Sequence, residues 1–359
     1  MSLECVKPNS LAGALIRDLL SEIDPIYLID VGASGGIEEH WSTFGTKLRA
    51  DGFDPLTTEV GRLNAATPNS QTYWDAFIDG GCSRRSIVSP NPEDVSLTAF
   101  DRTTASEYGK IKHQDYRKKV FNRGEELRYS STRYSLDEFL LSRGKPNPNF
   151  LKVDTDGSDF LVLQGAQQVL SDLNCVGVQV ECQFHGRPDP QSNTFANIDT
   201  LMRSHGFRLF HLEHWKYSRT EFPSQFVYEI AAQTIEGGIQ WGEALYIRDP
   251  ITNGQFQSFL NQNPALLLKF LCIAVTMGQF DLVASTISGL HSERFKDNAY
   301  SFTRTLDAMA QDQHPNMSGH KQLIDTFRAD PDDLMPSRKS NETITPGGFA
   351  RIRNFIRGK

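Results

Sequence analysis

Cysteine is scarce in this chain, with five residues at Cys5, Cys82, Cys175, Cys182 and Cys272 among 359. They are odd in number, scattered and never spaced as CxxC. That excludes a disulfide framework and a zinc ribbon, and suits a reducing compartment. Long apolar runs are missing too: the strongest, Ala265 to Met277, is too short to span a bilayer and contains Lys269. The opening MSLECVKPNS lacks a basic region followed by an apolar core, so no secretory leader is expected and the cytoplasm is the expected location. A basic surplus is absent as well. Lys and Arg total 37 against 44 Asp and Glu, a formal charge of −7, which argues against a nucleic-acid partner. No internal repeat and no GxGxxG spacing are found.

What is present is an alternation of short apolar runs with helical patterns. Ile26–Val31 is an apolar, β-branched run that ends in the turn Asp30-Val-Gly32-Ala-Ser-Gly-Gly36, with a helix expected next. Further strands are predicted at 48–53, 72–78, 150–153, 176–181, 207–212 and 244–247, the last two as an edge hairpin. Helices are predicted at 160–170 and 195–205. This alternation predicts a mostly parallel sheet covered on both faces. After Pro250 strand signals vanish, and helices are predicted at 256–260, 264–277 and 279–290. The predicted organisation is an N-terminal helix (1–25), an α/β domain (26–250), a helical domain (251–328) and a polar linker with a basic tail (329–359).

The glycines of the first turn let the backbone bend sharply and approach a ligand closely. Asp30, just before Gly32, is unhelpful to a pyrophosphate but suits a ligand with a cationic amino-acid moiety, such as S-adenosylmethionine. The second strand ends in Gly52-Phe-Asp54-Pro55, where a carboxylate can accept hydrogen bonds from ribose hydroxyls. The plainer alternative is that Asp-Pro only ends the strand. By its order in the chain, the third strand brings Asp75 and Ala76 to the adenine. The expected cofactor-binding set is Asp30, Gly32, Gly36, Asp54, Asp75 and Ala76.

These residues, with Tyr134-Ser-Leu-Asp137-Glu-Phe-Leu and Phe150-Leu-Lys-Val-Asp154-Thr-Asp156-Gly157-Ser-Asp159-Phe-Leu-Val-Leu-Gln-Gly165-Ala166, make residues 26–248 resemble the FkbM family of methyltransferases. The resemblance implies a doubly wound, mostly parallel, seven-stranded Rossmann-like methyltransferase sheet, here with a small C-terminal all-helical appendage. It also implies S-adenosylmethionine and methyl transfer to oxygen, on a sugar or polyketide hydroxyl.

An alcohol is a poor nucleophile near neutral pH, so transfer needs a base, a metal or close alignment. Candidate groups sit at carboxyl ends of strands: Asp154, Asp156, Glu181 and His185. On one reading Asp154, Asp156 and Glu181 hold Mg²⁺. On another, His185 or Asp154 is a general base; on a third, Asp154 only positions the cofactor. His211 and His214 fall on opposite faces of a strand, whereas Glu213 and Trp215 share a face that suits an acceptor pocket. Between 102 and 133 nine Lys/Arg are interleaved with tyrosines, which suits either an anionic glycan or a solvated helix face. The expected partner is a small-molecule or glycan acceptor, with homodimerisation through 251–328 and peripheral membrane contact through 349–359 as further expectations. Two rival readings remain: a non-catalytic methyltransferase-like scaffold, and a nicotinamide-dependent oxidoreductase.

Overall fold

The computed structural model describes residues 3, 5–20, 24–67, 70–80, 130–155, 157–186, 188–217, 234–289, 303–304, 306–311, 314, 316–330 and 334. Asp156, most of the basic stretch at 102–133 and the basic tail lie outside them. By contacts the chain divides into Met1–Ser301 and Phe302–Lys359.

In the first unit, α1 (Leu11–Leu19) starts where the Ser10 side chain accepts a hydrogen bond from Gly13 N, and it buries Ala12, Ile16 and the following Leu20 at four-residue spacing. The sheet strands are β1 (Ile26–Val31), β2 (Leu48–Asp54), β3 (Gln71–Asp75), β6 (Phe150–Val153), β7 (Gly177–Gln183), β8 (Arg208–Tyr217) and β9 (Gly238–Ile247), with α2 (Thr57–Ala66) joining β2 to β3. Their order is β3-β2-β1-β6-β7-β9-β8, all parallel except β9, which runs antiparallel to both neighbours. Order reverses between β1 and β6, so the ligand crevice of such a sheet opens at their carboxyl ends.

One sheet face carries Val31, Val153, Val178 and Val180. It packs on α3 (Leu136–Ser142), α4 (Asp159–Gln164), α5 (Gln167–Ser171) and α6 (Phe195–Ser204) through Phe139, Val162, Val169 and Ile198. On the other face the aromatic ring of Trp41 meets Phe150 at 4.9 Å. After β9 come α7 (Gly254–Gln262), α8 (Pro264–Thr276) and α9 (Phe280–Gly289) within this same unit. Val6 N donates to Thr276 O, and Lys269 Nζ reaches Pro25 O across 244 residues of sequence. Among the described residues no single helix is long and apolar enough to cross a membrane.

Three sequence expectations change. The glycine turn leads into 3₁₀ turns at Glu39–Lys47, interrupted where Gly45 takes φ 52°, and not into an α-helix. The run 72–78 divides into β3 and β4 (Phe77–Asp79), which leaves the main sheet to pair with β5 (Arg133–Ser135). There Asp79 is buried beside Arg133 at 3.0 Å. The helix 160–170 breaks into α4 and α5 because Gly165 lies against the Asp79 carbonyl, 2.1 Å from where a Cβ would stand. The Asp137 carboxylate then accepts from the Gln168 and Val169 amides and starts α5 afresh.

In the second unit α10 (His320–Ala329) begins where His320 N donates to Asp307 Oδ1 at 2.8 Å.

Candidate active site

The switch point is built by backbone contacts first. Gly32 N and Ala33 N both donate to Phe53 O, and Asp154 N donates to Val31 O at 2.8 Å. Gly32 takes φ 91°, and a Cβ there would stand 1.7 Å from the Asp154 carbonyl oxygen. Gly35 and Gly36 also have positive φ, and a Cβ on Gly35 would meet nothing within 4 Å. The turn is therefore pressed onto β6 at one end and open at the other.

Three carboxylates surround one buried ammonium here. Lys152 Nζ lies 3.7 Å from Asp30, 3.4 Å from Glu38 and 3.3 Å from Asp154. Sequence reading missed Lys152 and Glu38 because Lys152 stands opposite Asp30 only once β6 pairs with β1. Burial alone lowers the Lys152 pKa, but these carboxylates outweigh it and hold the ammonium charged. Asp30, 2% exposed, is pushed up to about 7 by burial against the pull of Lys152, with Glu38 and Asp154 adding to the rise. Its Oδ1 has no hydrogen-bond partner among the described residues. The neighbourhood carries a negative excess, which fits a ligand bearing a sulfonium and an ammonium. Phosphates would be repelled.

Asp54 ends β2, buried, with Oδ1 accepting from Leu56 N at 2.7 Å. Its register partner on β3 is Asp75, which is exposed, and Ala76 follows, buried. Behind Asp154 the loop is organised by Asp159, fully buried. Its carboxylate accepts from Thr155 N, Thr155 Oγ1, Gly157 N and Asn193 Nδ2. Burial pushes the Asp159 pKa up to about 7 against these donors.

Glu181 is buried on β7 and stands opposite Glu243 of β9, a residue the sequence reading did not single out. Gln179 Nε2 donates to Glu243 Oε2 at 3.0 Å. Burial pushes Glu243 up to about 7, with Asp154 adding and Lys152 opposing. No period-2 alternation marks it, since 243–246 reads Glu-Ala-Leu-Tyr. His185 is half-buried in the loop after β7, and its Nε2 has no hydrogen-bond partner among the described residues. Asp154 and Glu181 end on adjacent strands, but no group of three described His, Cys, Asp or Glu residues is arranged to hold a metal ion.

The native state holds protons on Asp30 and Glu243 that the unfolded chain releases near pH 4. Their stabilising contribution is thus full below about pH 4 and is lost as pH rises through about 7. His40, whose pKa burial lowers, acts in the opposite sense. The thermal midpoint of Glu243→Gln should fall less steeply than that of the parent between about pH 5 and about pH 8. Parallel curves would remove Glu243 from this balance.

The doubly wound sheet with β9 reversed, and the acidic glycine turn at its switch point, fit an S-adenosylmethionine-dependent methyltransferase. Residues 84–209 match the methyltransferase FkbM domain. The match includes the block around Asp154 but not the glycine turn or Asp54. No curated protein matches the chain. Solved structures similar to it include a precorrin-6y C5,15-methyltransferase from Geobacter metallireducens, at 10% identity over 68% of this chain and 93% of that one, TM-score 0.30. An arsenic(III) S-adenosylmethionine methyltransferase from Chlamydomonas reinhardtii is similar at 11% identity over 65% and 73%, TM-score 0.29. A 1,6-didemethyltoxoflavin-N1-methyltransferase from Burkholderia thailandensis is similar at 10% over 66% and 76%, TM-score 0.24. Superpositions this loose assign no residue a role.

Proposed function

We propose that the chain is an O-methyltransferase acting on a hydroxyl of a saccharide or glycosylated metabolite in the cytoplasm. The acidic glycine turn carries the donor side of this reading: Asp30, Glu38 and Asp154 gather around Lys152 where a dinucleotide would need to place its pyrophosphate. Asp30 and the 32–36 backbone would hold the methionyl part, Asp54 the ribose, and Asp75 and Ala76 the adenine edge. When bound, S-adenosylmethionine supplies a methyl group on a sulfonium sulfur, the S–C electron pair returning to sulfur as the new O–C bond forms.

His185 is assigned as the base that takes the acceptor's hydroxyl proton, since its buried ring nitrogen faces no competing partner among the described residues. Asp154 positions, because Lys152 at 3.3 Å already engages its carboxylate. That ammonium also disfavours a Mg²⁺ ion shared by Asp154, Asp156 and Glu181, since two cations would compete for one carboxylate. On the acceptor side, stacked Trp215 and Trp241, 4.0 Å apart, suit the apolar face of a sugar.

Calorimetric titration with S-adenosylmethionine and separately with NADH tests the donor. Binding of S-adenosylmethionine alone is expected, weakened about 10- to 100-fold in Asp54→Ala by the lost ribose hydrogen bonds. Binding of NADH, or an Asp54→Ala variant of unchanged affinity, would sink the assignment. Insensitivity of turnover to chelator is expected from the base route.

A further inference from the structure

We propose that one face of β7, β9 and β8 is an acceptor subsite that recognises a primary ammonium group carried on a sugar ring; this rests on the methyltransferase reading above. Strand pairing arranges the face in rows. Gln179, Leu245 and His211 form the deepest row, Glu181, Glu243 and Glu213 the next, and Gln183, Trp241 and Trp215 the rim. The two tryptophans lie nearly parallel, at 16°.

Three carboxylates directly opposite one another on neighbouring strands oppose folding, and burial raises that cost. A site is indicated by a second observation. Gln179 is 5% exposed, its Nε2 is committed to Glu243, and its Oε1 has no hydrogen-bond partner among the described residues. Gln179, Glu213 and Glu243 line a cavity of about 10 Å³ with Leu3, His211 and Leu245. Lys152, the cation on the adjoining strand, is shared among Asp30, Glu38 and Asp154. The cavity therefore presents acceptor atoms and two carboxyl groups, and a cation entering it would draw Glu243 into its charged form; its complement is a group rich in donors and positively charged.

Size narrows the class. About 10 Å³ holds a single water-sized group. An ammonium fits; a pyranose ring does not. The ring belongs at the tryptophan rim, two residues and so roughly 7 Å along the strands from the glutamate row. There an aromatic face contacts the sugar's C–H face while its ammonium enters the acidic floor. Glu243 and Gln179 act as specificity residues for the acceptor, and no bond is made or broken by them.

The test is a calorimetric titration, at about pH 7, of protein saturated with S-adenosylmethionine, using glucosamine, glucose and N-acetylglucosamine as probes. Glucosamine should bind at least about tenfold more tightly than the other two. That preference should vanish in Gln179→Leu and in Glu243→Gln, and Trp215→Ala should weaken all three sugars alike. Glucose binding as tightly as glucosamine, or no sugar binding to the loaded protein, overturns the subsite and marks the cavity as a buried-water site. Failure to bind S-adenosylmethionine is read separately in the first injection series and sinks the methyltransferase reading with it.

Discussion

Gly32→Ala is expected to cost about 4 kcal/mol or more and to abolish saturable S-adenosylmethionine binding. The new Cβ would stand 1.7 Å from the Asp154 carbonyl oxygen and 2.6 Å from its carbon, on a backbone at φ 91°. Both contacts are main chain, so no rotamer change relieves them, and β1 must separate from β6 at the switch point. Gly35→Ala supplies the control. It shares a positive φ but faces open space, so only the conformational cost of about 1–2 kcal/mol is expected. Denaturant titrations of the two variants, paired with S-adenosylmethionine binding, make the comparison. Equal stability would mean that the turn is not pressed onto β6 as described.

The second large effect concerns Arg248, 2% exposed just after β9. Its Nε donates to Cys175 O, Nη1 to His205 O, and Nη2 to Leu170 O and Asp172 O. The guanidinium also lies 4.1 Å over the Phe207 ring. Leu170 and His205 end α5 and α6, so one cation satisfies carbonyls that two helices leave without partners. Arg248→Met leaves those carbonyls buried and unpaired, and a loss of about 3–5 kcal/mol is expected. Arg248→Lys should recover little, since an ammonium lacks the planar fork that reaches separate carbonyls at once. A lysine variant as stable as the parent would show that charge alone, and not the fork, holds the helix ends.

Much of the sheet was legible from local pattern. Runs such as 26–29 are apolar throughout because both faces of a central parallel strand are covered, and the charge of Asp30 in the turn at 30–36 could be read directly from the sequence. What escaped was non-local. Lys152 becomes a partner of Asp30 only through β1–β6 pairing, and Glu243 reaches Glu181 only because β9 inserts between β7 and β8. The break at Gly165 depends on a carbonyl 86 residues earlier in the chain, at Asp79. The roles given to Asp75, Ala76 and His185 rest on strand order and loop position. Asp156 and the basic stretch before Ser130 lie outside the described residues.

The strap from Val6 to Thr276, together with Lys269 on Pro25, has a consequence for synthesis. The first helix leaves the ribosome early, yet its covering partner arrives about 250 residues later. At ordinary elongation rates that is a wait on the order of tens of seconds. During it the first helix and the segment before it wait without the α8 contacts that tie them down. Docking of the N-terminal segment is in this sense a late event of chain growth, timed by the far end of the first unit.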